Sequence, residues 1–223
     1  MAGLNESSQE RSYAVHREPV ERESTYTTLT ARSALEGLGG LGVVALSIVG
    51  LAGVVPRYMA PIATIAFGVA LAAEGASIAA RFLQLAHNDG LIQKAEIGGG
   101  AGGELAGGLA GGVLGILALI GIAPIVLVSV AAIVFGAAIL LGSGTESRIS
   151  SLAAESGERV ISGARLGTAG AEVLVGIAAI ALGIIALTGT TPMSLNIIAM
   201  LVLGAGATIQ ATSVGGAMVA VFR

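Results

Sequence analysis

Long uncharged runs alternate with short charged clusters along this chain, and the runs come in pairs. Glu104 is followed by nineteen uncharged residues, Leu105 to Ala123, then by Pro124 and a second uncharged run, Ile125 to Thr145. A helix rises roughly 1.5 Å per residue, so the first run spans a length close to the hydrocarbon thickness of a bilayer. The same layout occurs three times at an offset of sixty-eight residues, without a gap: Glu36, Glu104, Glu172; Gly53, Gly121, Gly189; Pro56, Pro124, Pro192; Gly68, Gly136, Gly204. Gly40/Gly108/Gly176, Leu46/Leu114/Leu182, Ile48/Ile116/Ile184, Leu51/Leu119/Leu187 and Ala63/Ala131/Ala199 coincide as well. Such self-similarity at a fixed period is the mark of a repeat architecture.

Each unit reads as a helical hairpin. Glycine takes the left-handed conformation that ends a helix, and proline is tolerated at the first position of the next one, where its missing N–H has no partner to lose. The pairs Gly53 and Pro56, Gly121 and Pro124, Gly189 and Pro192 therefore turn the chain back almost at once. The return runs are Tyr58 to Ala73, Ile125 to Thr145 and Met193 to Phe222. The expected fold is all-α: a polytopic membrane protein with six transmembrane helices arranged as three tandem hairpins about a pseudo-threefold axis. Its parts are a polar tail (1–32), a first hairpin (33–80), a linker (81–96), a second hairpin (97–145), a linker (146–165) and a third hairpin (166–223).

Composition sharpens this reading. Hydrophobic residues make up 54%, charged residues 11%, and mean hydropathy is +0.90, values that belong to an integral membrane protein. There is no cysteine, which excludes disulfides, iron–sulfur clusters and thiol nucleophiles. The net charge of -3 gives no reason to expect a nucleic-acid partner. Of the eleven Lys and Arg, only Arg57 stands beside a hairpin turn; Arg11, Arg17, Arg22, Arg32, Arg81, Lys94, Arg148, Arg159, Arg165 and Arg223 lie in the tail, the linkers or the C-terminus. By the positive-inside rule the two termini and both linkers face the cytoplasm and the turns face out, so all three hairpins share one orientation. No apolar run precedes the first span, so no cleavable signal peptide is expected. The tail, with its mixed Arg and Glu and a Ser/Thr-rich end, buries too little apolar surface to fold alone. Its Asn5-Glu6-Ser7 fits a glycosylation pattern that a cytoplasmic tail never presents. In the linkers, Ile78, Phe82 and Leu85, and then Ile149, Leu152, Ala153, Val160 and Ile161, recur at helical spacing, which predicts helices that continue out of the membrane with one apolar side, lying at the interface or offering a docking surface.

Glycine is abundant, 35 residues in all, and densest between Gly98 and Gly112. Gly103, Gly107 and Gly111 fall on one helix face, with Gly108 and Gly112 on a second row. In lipid, such faces let helix backbones approach closely and associate by packing, within the chain or between copies. Gly98-x-Gly100-x-x-Gly103 and Gly37-x-Gly39-x-x-Gly42 match the dinucleotide fingerprint by letter, but neither follows a strand, so the packing reading stands.

The repeated glutamates Glu36, Glu104 and Glu172 are the strongest functional candidates, with Glu74 returning to nearly the depth of Glu36 and Gln210 to that of Glu172. A carboxylate in a span sits at an end, faces a wet interior or pairs with a cation. In the first turn of a helix it also favours the positive end of the dipole, which is the purely structural explanation. Facing the axis, the three would form an acidic ring of the kind that favours cations at a pore mouth. Catalysis has little basis: the two histidines, His16 and His87, lie in the tail and a linker, and no His/Asp/Glu cluster has metal-ligand spacing. No catalytic residue, cofactor or metal is expected.

The hairpin motif, Gly50-Leu51-Ala52-Gly53 to Pro56 followed by Ile65-Ala66-Phe67-Gly68, and Leu119-Ile120-Gly121 to Pro124 followed by Ile133-Val134-Phe135-Gly136, resembles the short-repeat membrane proteins typified by the HdeD acid-resistance family. The resemblance covers Glu36 to about Gly215. It implies a bacterial inner-membrane protein of six spans, linked to stress tolerance and without an established catalytic mechanism. The long tail, the sizeable linkers and the absence of tryptophan depart from that family. Rotary-ATPase proteolipids also combine glycine-rich hairpins with a carboxylate, but they are expected to carry it mid-membrane on the later helix. Two functions follow: a non-enzymatic structural or scaffold protein in a bilayer, partnered by copies of itself or by other membrane subunits, and alternatively a proton or cation pathway through the glutamate layer.

Overall fold

The computed structural model describes residues 37–89, 97–155, 159–189 and 191–221. The tail 1–32, Glu36 and the segments 90–96 and 156–158 lie outside the described residues. Within them the chain is helical throughout: α1 (Gly37–Leu51), α2 (Pro56–Asp89), α3 (Ile97–Leu119), α4 (Pro124–Glu155), α5 (Arg159–Leu187) and α6 (Pro192–Val221). Five of these, α2 to α6, are long and apolar enough to cross a membrane, and α1 is a shorter apolar helix. Their outward faces are apolar, with Leu41, Leu109 and Ile177 all exposed.

The three turns are built alike. Gly53, Gly121 and Gly189 take φ of 85°, 99° and 90°. At the first turn the N–H of Gly53 donates to the Gly50 carbonyl at 3.1 Å and that of Val54 to the Val49 carbonyl at 3.2 Å; at the second, Gly121 donates to Ala118 at 3.0 Å and Ile122 to Leu117 at 3.1 Å. This pair of bonds around a left-handed glycine is the Schellman closure that satisfies the last carbonyls of a helix. The residue before each proline then starts the next helix, its carbonyl accepting from Tyr58 N–H at 2.9 Å in the first hairpin, from Leu127 N–H at 3.0 Å in the second and from Leu195 N–H at 3.2 Å in the third. Those residues, Val55, Ala123 and Thr191, sit at φ of 43°, 39° and 41°. A non-glycine residue there stores about 1–3 kcal/mol of strain, tolerated because two helices fix the chain on either side. Beside the first turn, the Arg57 guanidinium lies 5.6 Å from the Tyr58 ring centre.

Two shells result. The return helices α2, α4 and α6 touch one another in all three combinations. The other helices sit outside them: α3 packs on α2 and α4, α5 on α4 and α6, and α1 on α2 and α6. Small residues allow this. A Cβ placed on Gly108 would come within 2.8 Å of the Gly68 carbonyl oxygen, one on Gly176 within 2.9 Å of that of Gly136, and one on Gly40 within 2.9 Å of that of Gly204. Backbone therefore rests on backbone at α2–α3, α4–α5 and α6–α1, where any side chain would force the helices apart.

The glycine rows of α3 are both occupied inside the chain. Gly103 faces Leu141, Gly107 faces Ala138 and Gly111 receives the Phe135 ring, while Gly108 and Gly112 lie against Gly68. Charged residues in the linkers do not end the helices: α2 continues through Arg81 to Asp89, α4 through Arg148 to Glu155, and α5 already begins at Arg159. Charge marks where a helix leaves an apolar environment, whereas a helix ends only where its hydrogen bonds do. The apolar positions Ile78, Phe82, Leu85, Ile149 and Leu152 thus belong to continuations of α2 and α4.

Candidate functional site

The inner helices meet in successive levels, and the residues at each level come from equivalent places in the three units. Nearest the turns lie Ala60, Val128 and Asn196, all buried. Asn196 donates from Nδ2 to the Ile125 carbonyl at 3.0 Å, and Ser129 Oγ lies 2.9 Å from Asn196 Oδ1 and 2.8 Å from that same carbonyl. This ties α6 to α4 by polar bonds in an apolar interior. Next come Thr64, Ala132 and Met200; the Thr64 hydroxyl lies 2.8 Å from the Ala60 carbonyl and 3.5 Å from Met200 Sδ. Phe67, Phe135 and Leu203 follow, the two rings edge to face with centres 5.0 Å apart. Phe135 and Leu203 are fully buried. Aromatic rings favour this geometry because the positive edge of one meets the negative face of the other.

Beyond that aromatic level the packing opens into a cavity, and the carboxylates meet there. Glu74 from α2, Glu104 from α3 and Glu172 from α5 line it together with Gln210 from α6, on a floor of Phe67 and Leu71. Glu172 is buried at 7% exposure, and Gln210 Nε2 donates to its Oε1 in a short hydrogen bond. Glu104 turns onto α4 at Gly142, where its carboxylate occupies the space a side chain would need. Each of these acids is thus set against the position thirty-eight residues further on, Gly142 for Glu104 and Gln210 for Glu172. Glu74 stands in the same repeat column in the first unit, thirty-eight residues after Glu36, which lies outside the described residues.

Of the site residues read from sequence, Glu74, Glu104 and Glu172 are brought together, and the turn residues Gly53, Pro56, Gly121, Pro124, Gly189 and Pro192 form the opposite end. Sequence reasoning missed Gly142. Its signal was the column Glu74/Gly142/Gln210, in which the side chain changes from acid to none to amide. Among the described residues no group of three His, Cys, Asp or Glu side chains stands close enough to hold a metal ion. The acids share a cavity without forming a ligand cage.

Comparison of the chain with protein-family models, characterised proteins and solved structures returns no match. The reading of its role therefore rests on its own geometry.

Proposed function

We propose that this is a non-enzymatic structural protein of the membrane: three hairpins around a pseudo-threefold axis along the membrane normal, locked by glycine seams and closed along that axis. The observation that carries this is the filled centre. Three successive levels of buried side chains, from Asn196 through Met200 to Phe135 and Leu203, separate the turns from the acidic cavity, and a packed interior of this kind is a poor path for ions because each polar group taken into it needs a partner. The termini and linkers are assigned to the cytoplasmic side by their basic residues, and a bacterial inner-membrane setting and stress-related role follow from the HdeD resemblance. Because the glycine rows are taken up inside the chain, a scaffold role rests on the apolar outer faces of α1, α3 and α5 and on the tail and linkers.

The second reading, a proton or cation site, is favoured by one observation: Glu74, Glu104 and Glu172 share a cavity. Reconstitution into liposomes separates the two. The structural reading expects proton and potassium flux no greater than in empty vesicles, both for wild type and for the Glu74→Gln/Glu104→Gln/Glu172→Gln variant. Flux in wild type that the triple variant abolishes would replace it with the second. Native mass measurement in mild detergent is expected to give a defined oligomer or a co-purifying subunit, and a lone monomer would count against the scaffold role.

A further inference from the structure

The seam between α1 and α6 joins the first helix to the last, and no linker bridges it. Its geometry nevertheless matches that of the two seams that linkers do bridge. A Cβ on Gly40 would lie 2.9 Å from the Gly204 carbonyl oxygen, compared with 2.8 Å for Gly108 on Gly68 and 2.9 Å for Gly176 on Gly136. The reverse contacts agree: from Gly204 to the Gly40 oxygen 3.0 Å, from Gly68 to Gly108 2.8 Å, and from Gly136 to Gly176 2.5 Å. One turn further, Gly40 faces Thr208 and Gly176 faces Leu140, two positions of one repeat column. All six glycines stand sixty-eight residues from their counterparts.

We propose that the hairpin is the docking unit of this protein. The outer-helix face of any hairpin fits the return-helix face of any other, so the chain is a fused trimer closed into a ring, and the surface that receives α1 is the same kind of surface that receives α3 and α5. The partner of each hairpin face is thus a second hairpin of this sequence type. This rests on the threefold arrangement proposed above and not on what the acidic cavity does. Each seam derives its stability from close backbone approach in lipid and needs no linker to form, because apolar side chains gain little by leaving the lipid tails whereas tight packing gains directly.

The chain has no cysteine, so an engineered pair is unambiguous. A Cβ on Gly37 would lie 3.2 Å from that of Ala211, so a shift of a few tenths of an ångström brings the pair into the roughly 3.5–4.5 Å range of a disulfide. In the full-length Gly37→Cys/Ala211→Cys variant, oxidation in membranes is expected to link the first and last helices of the same chain nearly completely, giving a reducible species that still migrates as one chain. No bond, or bonds only between copies, would overturn the closed ring. As a second measurement, Gly40→Leu, Gly108→Leu and Gly176→Leu in the full chain are expected to lower the melting temperature in detergent by similar amounts. A silent Gly40→Leu beside two damaging partners would show that the α1–α6 seam is not equivalent. Neither result depends on the liposome flux, so failure of the ring and failure of the structural reading are separable.

Discussion

The two ends of the inner helices contrast sharply. At the turn end the three units are nearly interchangeable: a left-handed glycine whose N–H closes the helix onto the carbonyl three residues back, a strained residue and a proline. At the acid end they diverge: Glu74, Gly142 and Gln210 stand in one repeat column, and Glu104 lies on Gly142 whereas Glu172 accepts a hydrogen bond from Gln210. Backbone geometry explains the sameness, because a two-helix reversal this tight admits few dihedral solutions. Side-chain chemistry explains the difference: a bare glycine leaves room for the Glu104 carboxylate, whereas an amide supplies a donor to that of Glu172.

The largest effect is expected at the level that divides the two ends. Phe135→Ala empties a fully buried ring site between Phe67 and Gly111, and a cost of about 3–5 kcal/mol follows from cavity formation. Thermal unfolding in detergent reads it, and a loss below about 1 kcal/mol would mean that the centre is not packed as described. A smaller effect sharpens the contrast at the acid end. Gly142→Ala puts a methyl where the Glu104 carboxylate lies, with an expected cost of about 1–3 kcal/mol. That cost should largely vanish in a Glu104→Ala background, and additive losses in the double-mutant cycle would show that the two do not touch. The smallest effect belongs to the turns. Val55→Gly relieves a left-handed β-branched residue and is expected to stabilise by about 1 kcal/mol or less, because glycine's larger unfolded-state entropy offsets part of the gain. A lower melting temperature would contradict the turn geometry.

Much of this was legible in the residues. The Gly-x-x-Pro spacing announced three reversals, and each glycine adopts the positive φ that such a stop requires. The depth argument that set Gln210 beside Glu172 agrees with the hydrogen bond between them. The linkers were legible in part: the spacing of Ile78, Phe82 and Leu85 read as a helix continuing past the span, and α2 does run on to Asp89, but Arg81 and Arg148 mark polarity and say nothing about where hydrogen bonding stops. The polar bridge among Ser129, Asn196 and Ile125 had no signal at all, because it depends on two helices arriving at one level from distant parts of the chain.

The amino-acid order alone determined the helices, their pairing into hairpins and the positions of the turns, because those depend on local dihedral preferences and on spans of uncharged residues matched to a bilayer. Which glycine meets which backbone, that α1 returns to α6, and that the acids open into one cavity behind a wall of Phe67, Phe135 and Leu203 were decided only by the tertiary structure. The physical reason is that close packing is a property of surfaces brought together, and a glycine row reads the same in sequence whether its partner is lipid, another copy or the next helix of its own chain.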